Sequence, residues 1–381
     1  ASDVYKRQDD NNDNDGNGGN GNGNEIENGT ILKGTITSDV TLAAGNTYKL
    51  SGEYIVEEGA TLHIEEGVKI IAVYDDIADY ILVKQGGKIN AVGTPDKPIV
   101  MTSEKEEPGA WGGIHICGRA HTNAEGGKGS SEIGGAVYGG NDDADNSGTL
   151  QYIRLEYTGF AFDEEHEANG ISFYGVGNGT IVDHCQAYKG SDDGFEFFGG
   201  SVNVSNLVAV SCSDDSFDWT EGWNGKGTNL VAYQEDKSTL GYDCDCLMEC
   251  DNNGSNNAAT PVAHPVLKNL ILVGNGGSKQ GIRLRAGTEV EIDNAKVCGK
   301  GQPLTVETAL TENALKNGTS KLTNITLTSE LSSKEGIYTH ADFIAVTSNK
   351  VDANLSYSSF EDIRNCLLYT SDAADERSSV D

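Results

Sequence analysis

Acidic side chains recur at a fixed spacing in the middle of the chain. The stretch "SDDGFEFF" at Ser191–Phe198 is followed 22 residues later by "SDDSFDWT" at Ser213–Thr220. Each copy places two adjacent acids before a small residue and a third acid between two aromatic residues. Carboxylates gathered in this way can hold a hard cation such as Ca²⁺, or serve as acid and base on a glycosidic bond. The predicted metal ligands are Asp192, Asp193, Asp214, Asp215, Asp218 and Asp243.

The repeat predicts the elements that position these acids. Segments of the form small–apolar–variable–apolar begin at Gly170, Gly194, Ser216, Gly241 and Gly281. A second pattern of the type "NLVAV" accompanies them along the chain. Short alternating strands in coils of about 22–25 residues are typical of a stacked repeat. The predicted fold is therefore all-β, a right-handed parallel β-helix in which equivalent residues stack about 4.8 Å apart.

Composition sets the limits of the predicted domain. Residues 25–366 are expected to form the β-helix, with loop insertions near 119–148 and 246–265 where the periodicity fails. Residues 1–24 read as a disordered Asp/Asn/Gly linker, since Asp9–Asn24 has no apolar residue. Residues 1–8 and 367–381 match neither the composition nor the rhythm of the body and are expected to be non-native.

Charge and hydropathy exclude some partners. The formal net charge of −32 argues against nucleic acid, because the surface would repel phosphate. No apolar run approaches 18 residues, so no transmembrane segment is predicted. The eight cysteines include the stretch "CDCLMEC" at Cys244–Cys250. Buried thiols or one local disulfide are favoured over zinc there, because the spacing has no matching second half.

Side-chain alternation predicts a vertical file of outward residues, which are Ser172, Glu196, Asp218, Asp243 and Arg283. Like charges directly opposite one another in a sheet repel, so the file needs an explanation. Three remain open: solvated acids that make turns, Ca²⁺ held between coils, or an active cleft. The predicted ligand-binding residues are Asp192, Glu196, Asp214, Asp218, Trp223 and Arg283, with Trp223 as a platform for a sugar ring.

Several blocks of the sequence resemble a known family. "GATLHIEEGVKI", "PGAWGGIHICG" and "GSDDGFEFFGGSVNVSNLVA" are similar to secreted β-helix lipoproteins of Bacteroidetes-type bacteria, often filed as hypothetical proteins or mislabelled as multidrug transporters. The resemblance covers Gly34 to Thr328 and implies a parallel β-helix at the outer cell surface or outside the cell. It also implies a lipid anchor upstream of the observed start, with Asp9–Asn24 as its tether. A solvated end without an anchor is the alternative for that tract.

The resemblance implies no chemistry, because the family has no settled activity. The expected function is a binding or adhesion module for polysaccharides or cell-surface glycans, with Ca²⁺ on the acidic file. The alternative is a Ca²⁺-dependent polysaccharide lyase or glycoside hydrolase, in which Asp218 and Asp243 hold the cation and Arg283 is the base. Polygalacturonase-like hydrolases also need a His-Gly motif, and no His here precedes a Gly.

Overall fold

The computed structural model describes residues 24–75, 77–162 and 166–363. Its strands wind into a right-handed parallel β-helix, in which the strands of one coil pair in parallel with those of the neighbouring coils. The predicted fold class is confirmed. The strands of the first part, in chain order, are β1 (Asn24–Ile26), β2 (Ile31–Ile36), β3 (Val40–Leu42), β4 (Thr47–Val56), β5 (Thr61–Ile64), β6 (Lys69–Ala72), β7 (Tyr80–Val83), β8 (Lys88–Val92), β9 (Ile99–Ser103), β10 (Ile114–Cys117), β11 (Gly129–Ser130), β12 (Val137–Tyr138) and β13 (Gly148–Glu156).

The second part repeats short and long strands in turn. Its strands are β14 (Ile171–Tyr174), β15 (Ile181–Tyr188), β16 (Phe195–Phe198), β17 (Asn203–Val210), β18 (Phe217–Thr220), β19 (Lys226–Tyr233), β20 (Met248–Cys250), β21 (Val266–Val273), β22 (Gln280–Leu284), β23 (Glu291–Cys298), β24 (Gln302–Val306), β25 (Lys321–Leu327), β26 (Ser332–Ser333) and β27 (Lys350–Val351). Its helices are α1 (Lys237–Leu240), α2 (Ala309–Asn317) and α3 (His340–Ala345). None of the helices in these ranges is long and apolar enough to cross a membrane.

Aromatic rings stack along the core in the region of the repeated motif. The ring of Phe173 lies 5.0 Å from that of Phe197, and the ring of Phe195 lies 5.6 Å from that of Phe217, each pair nearly parallel. All four side chains are almost fully buried. Such pairs add about 0.5–1.5 kcal/mol beyond simple burial. The predicted inward columns of these coils are therefore present, and they fix the outward direction of the residues between them.

An asparagine marks the bend in each of the long strands β17, β19, β21 and β23. These residues adopt the left-handed backbone conformation, with φ between 54° and 64°. Their side-chain amides form a ladder across the coils, in which Asn229 donates to Asn206, Asn269 to Asn229 and Asn294 to Asn269, each at 2.9 Å. Asparagine accepts this conformation more readily than most residues. The repeated Asn of the "NLVAV" pattern is thus a corner residue.

Two segments leave the coils on the side of the short strands. The segment between β10 and β13 carries the β11–β12 hairpin and a 3₁₀ turn at Glu125–Gly127. The second segment begins only after Cys250, because β20 lies inside the range 246–265 that was predicted as loop. The first segment bonds to the second through Asn123, whose amide donates to Asn252 and Pro261. The side of the helix that carries the acids is therefore covered in part.

Candidate functional site

The repeated motif lies on two neighbouring short strands, β16 and β18. Glu196 is the register partner of Asp218, which is in turn the partner of Glu249 on β20. Glu249 is followed by Arg283 on β22. We call Glu196, Asp218 and Glu249 the acidic file. The prediction that Glu196 and Asp218 stack in adjacent coils, with Arg283 farther along the same line, is confirmed by this register.

Asp243 does not belong to the file. The two coils after β18 are longer than the two before it, because α1 and a loop precede β20 and a second segment follows it. Successive equivalents there lie 31 and then 34 residues apart. "GYDC" fits the repeat pattern as well as "LMEC" does, and only the second is a strand. Asp243 is instead 73% exposed and paired with Lys237. The two apolar positions of this copy of the repeat are likewise Met248 and Cys250, and not Tyr242 and Cys244 of "GYDC".

The correct register also explains the cysteine-rich stretch. "SDDSFDW" at Ser213–Trp219 aligns with "CDCLMEC" at Cys244–Cys250, so the latter is one more copy of the repeat. Its thiols are buried and free, as are those of the other cysteines among residues 24–363. Burial raises the pKa of Cys212 to about 12 and that of Cys244 to about 11, so both are protonated at neutral pH. No disulfide joins the described cysteines.

The paired acids of the turn have two different roles. The second acid of each pair is buried and bonds to the next coil: Asp193 Oδ1 accepts the N–H of Asp215 at 2.8 Å, and Asp215 Oδ1 accepts the N–H of Cys246 at 2.7 Å. The first acid lies nearer to solvent. Asp192, Asp214 and Asp245 follow one another in register, and Lys279 comes next and donates to Asp245. The inner acids thus tie each coil to the next, and the outer acids form an edge.

The face of the acidic file is not open to water as predicted. Tyr138 from the first covering segment packs on Tyr174, with ring centroids 5.1 Å apart, and Tyr174 stacks on Phe198 at 4.4 Å. Tyr138 also donates to Glu221 at 2.8 Å. Glu196 and Asp218 are consequently only partly exposed. Sequence periodicity shows that these residues point away from the core, but it does not show which loop lies above them.

Trp223 is a core residue. It is 1% exposed, its ring stacks on Phe197 at 4.2 Å, and its indole N–H donates to the Val202 carbonyl at 3.1 Å. The prediction that Trp223 offers a surface platform for a sugar is therefore wrong. Tyr174 and Phe198 are also buried, so the described aromatic rings nearest the acids are taken up by packing.

Burial and mutual repulsion dominate the electrostatics of the cluster. Burial, and then the charges of neighbouring acids, raise the pKa values of Asp193, Glu196, Asp215 and Asp218 well above the usual range. The same causes raise the pKa of Asp192 to about 7. An isolated buried carboxylate is costly, so these groups require either a proton or a compensating cation at neutral pH.

The cations nearest the file are already paired. Arg283 donates to Glu249 Oε2 at 3.0 Å and to Glu307 Oε2 at 3.3 Å. Arg285 pairs with Glu249 Oε1 and Asp251 Oδ1, each at 2.7 Å. Burial opposes the charge of Arg283, but the bond to Glu307 and the charge of Glu249 outweigh it, so its pKa is raised. Glu249 is thereby neutralised, whereas no ion pair joins Glu196 or Asp218 to a cationic side chain within the described residues.

Several buried polar atoms near the file have no hydrogen-bond partner. They include Asp218 Oδ1, Asn169 Oδ1, His115 Nδ1 and Ser216 Oγ, all within the described ranges. His115 and Ser172 continue the line of the acidic file on β10 and β14. Asn169 reaches into it, donating to Glu196 at 2.6 Å and to Ser172 at 3.0 Å. Buried polar groups normally have partners, so these atoms indicate a position for water or a ligand.

A polar cleft of about 210 Å³ adjoins the edge of outer acids. Its polar lining comes from side chains of both charges and from a glycine turn. The lining residues are Ser213, Lys237, Asp243, Cys244, Asp245, Asn275, Gly276, Gly277, Ser278 and Lys279. Asp243 therefore lies in this cleft, outside the file. The sequence analysis did not identify Glu249, Asp245 or Asn169 as site residues. Glu249 could have been found, because it is an acid between two apolar residues in "MEC".

The comparisons with known proteins agree with this architecture. Residues 34–366 match the family described as "Pectate-lyase like beta helix domain". The chain belongs to this family. No curated protein and no solved structure matches the chain in the other two comparisons. The parallel β-helix of the predicted resemblance is confirmed, and family membership assigns no ligand or reaction to the acids, because one fold hosts many functions.

Proposed function

We propose that this pectate-lyase-like β-helix protein is a glycan-binding protein that is exported and held at the bacterial surface. The observation that carries the proposal is the cleft beside the outer acids, which offers carboxylates, ammonium groups, an amide and a hydroxyl at one site. Sugars are recognised through many hydrogen bonds to such groups. Export and anchoring rest on the sequence resemblance alone.

The size and lining of the cleft favour a small part of a polysaccharide. About 210 Å³ is below the roughly 300–1,000 Å³ of pockets for drug-sized ligands, so one sugar residue or a chain end is the matching size. The ion pairs Lys237–Asp243 and Lys279–Asp245 lie at its rim, and both lysines are more than half exposed. Exposed pairs of this kind contribute little to stability, so a ligand can replace one partner at small cost.

Binding is favoured over lyase chemistry by the state of Arg283. The base of a lyase must be unprotonated before it can take a proton from the substrate. The ion pairs of Arg283 with Glu249 and Glu307 stabilise the protonated form of its guanidinium group. Asp243, the second residue of the proposed catalytic set, lies outside the file. No described feature favours the enzyme over the binding protein.

A polysaccharide panel tests this function. The folded chain is incubated with neutral and acidic polysaccharides while binding, new reducing ends and unsaturated uronic ends are measured. We expect binding to at least one polysaccharide without cleavage, and a loss of tenfold or more in affinity for Lys279→Met and for Asp245→Asn. Lys97→Met is the matched control, since Lys97 forms an exposed pair with Glu66 on the early coils. Cleavage, or unchanged binding by both cleft variants, would contradict the proposal.

A further inference from the structure

Three carboxylates from two neighbouring coils meet below the cover of the short-strand sheet. Asp193, Glu196 and Asp218 each offer one oxygen, and the three oxygens all lie within 4.8 Å of one another. Asp193 is 5% exposed, and Asp218 Oδ1 is buried. The neighbouring arginines pair with Glu249, Glu307 and Asp251 instead. The negative charge of this trio is therefore not balanced by a described side chain that bonds to it.

A second, independent observation comes from Asn169. Its side chain is 1% exposed, and its Nδ2 donates to Glu196 Oε2 at 2.6 Å. The Oδ1 of the same amide has no partner. The buried amide of Asn169 thus contacts the trio through its nitrogen, and the oxygen of the same group is left without a partner. A buried carbonyl oxygen left unpaired costs about 1–3 kcal/mol, which a cation or water would offset.

We propose that Asp193, Glu196, Asp218 and the side-chain carbonyl of Asn169 form a buried Ca²⁺ site that joins two coils. Every ligand is an oxygen, which suits a hard cation, and the rest of the coordination sphere is water. Two oxygens on opposite sides of Ca²⁺ are separated by about 4.6–5.2 Å, twice the Ca–O distance of about 2.3–2.6 Å. The spacing of the trio falls within this limit.

The site differs from the set of six aspartates predicted from the sequence. Asp243 lies in the cleft, and Asp192, Asp214 and Asp215 do not belong to this group of three carboxylates. Asp193 accepts the N–H of Asp215 with one oxygen and still offers an oxygen to the group. Glu196 and Asn169 replace the excluded aspartates, and both point into the line of the acidic file. The inference does not depend on glycan binding, because all four groups lie under the cover and belong to the protein itself.

Calorimetry and thermal unfolding of the full chain test the site without any glycan. After treatment with EGTA and dialysis, titration with Ca²⁺ should show one site per chain and should raise the melting temperature. Mg²⁺ should bind at least tenfold more weakly, because it requires shorter and more regular coordination. Tb³⁺ should give luminescence excited through tryptophan, since Trp219 follows Asp218 directly on β18.

Two variants distinguish a cation site from a set of protonated acids. Asp218→Asn and Glu196→Gln should fold, because each removes a repelling charge, and each should weaken Ca²⁺ binding tenfold or more. Asp243→Asn, which changes an exposed acid, should bind Ca²⁺ like the parent chain. The proposal is overturned if Ca²⁺ neither binds nor raises the melting temperature of the parent chain. It is also overturned if binding persists in both file variants.

Discussion

Adjacent residues of identical type have different roles in the turn before each short strand. Asp214 is exposed, whereas Asp215 is 5% exposed and caps the backbone of the next coil. The inner position must supply an acceptor oxygen for the N–H of Cys246, and the charge of Asp215 adds to the repulsion within the cluster. An acid at this buried position is therefore useful as a hydrogen-bond acceptor. Its negative charge raises the electrostatic repulsion among the acids, which a bound cation would reduce.

Substitution of Asp215 separates the acceptor from the charge. Asp215→Ala should lower the free energy of unfolding by about 1–3 kcal/mol, because the N–H of Cys246 loses its partner. Asp215→Asn keeps an acceptor oxygen and should be close to neutral or stabilising. Urea unfolding checks the difference, with Asp214→Ala as the control that should change little. Equal losses for the alanine and asparagine variants would show that the hydrogen bond is not the important feature.

At this scale the sequence allowed part of the site to be predicted. Glu196 and Asp218 could be paired because one coil of 22 residues separates two copies of the same pattern. Glu249 could not, because α1 lengthens the next coil and two segments fit the pattern equally well. Trp223 was misassigned because composition cannot distinguish a buried ring from an exposed one. The cover over the file depends on contacts between distant segments, which periodicity does not describe.

At the scale of the element, the asparagine ladder lies where the long strands β17, β19, β21 and β23 turn. Asparagine tolerates the left-handed backbone conformation, and its side-chain amide forms a hydrogen bond with each neighbouring coil. The corner sets the direction of the following turn and, through it, the position of the short strand with its acids. The ladder is thus the feature that carries the register from one coil to the next.

Asn229 lies within this ladder and provides the second stability test. Asn229→Ala should lower the free energy of unfolding by about 2–4 kcal/mol. Alanine is strained in the left-handed backbone conformation, and two side-chain hydrogen bonds are lost. Asn229→Gly accepts the backbone conformation and should cost about 1–2 kcal/mol less. Asn313→Ala, on the exposed side of α2, is the control and should stay within about 0.5 kcal/mol. A glycine variant as unstable as the alanine variant would exclude strain as a cause.

At the scale of the whole molecule, 59 acidic residues outnumber 27 basic ones, and three groups of ligand side chains, mostly acids, lie close together among the described residues. Exposed acids can be solvated, but Asp193 is 5% exposed and Glu196 and Asp218 are only partly exposed, so water screens the charge of this trio poorly. Protonation and cation binding are the two ways to lower this repulsion. The stability of the β-helix should therefore depend on both pH and Ca²⁺.

The pH dependence has a definite sign in EGTA. Burial and the charge of Asp214 raise the pKa of Asp192 to about 7 in the folded chain, against about 4 when unfolded. Between these pH values the folded state binds more protons than the unfolded state. The contribution of Asp192 to the free energy of unfolding is therefore complete below about pH 4 and is lost as the pH rises through 7. The urea midpoint should fall from pH 5 to pH 8, and saturating Ca²⁺ should reduce that fall. The bond with Lys316 lowers the pKa of Asp342 to about 2. The stability that Asp342 contributes is therefore lost only as the pH falls below about 4 towards 2, outside the range of this test. A midpoint that rises between pH 5 and pH 8 would therefore show that the buried acids are compensated within the protein itself.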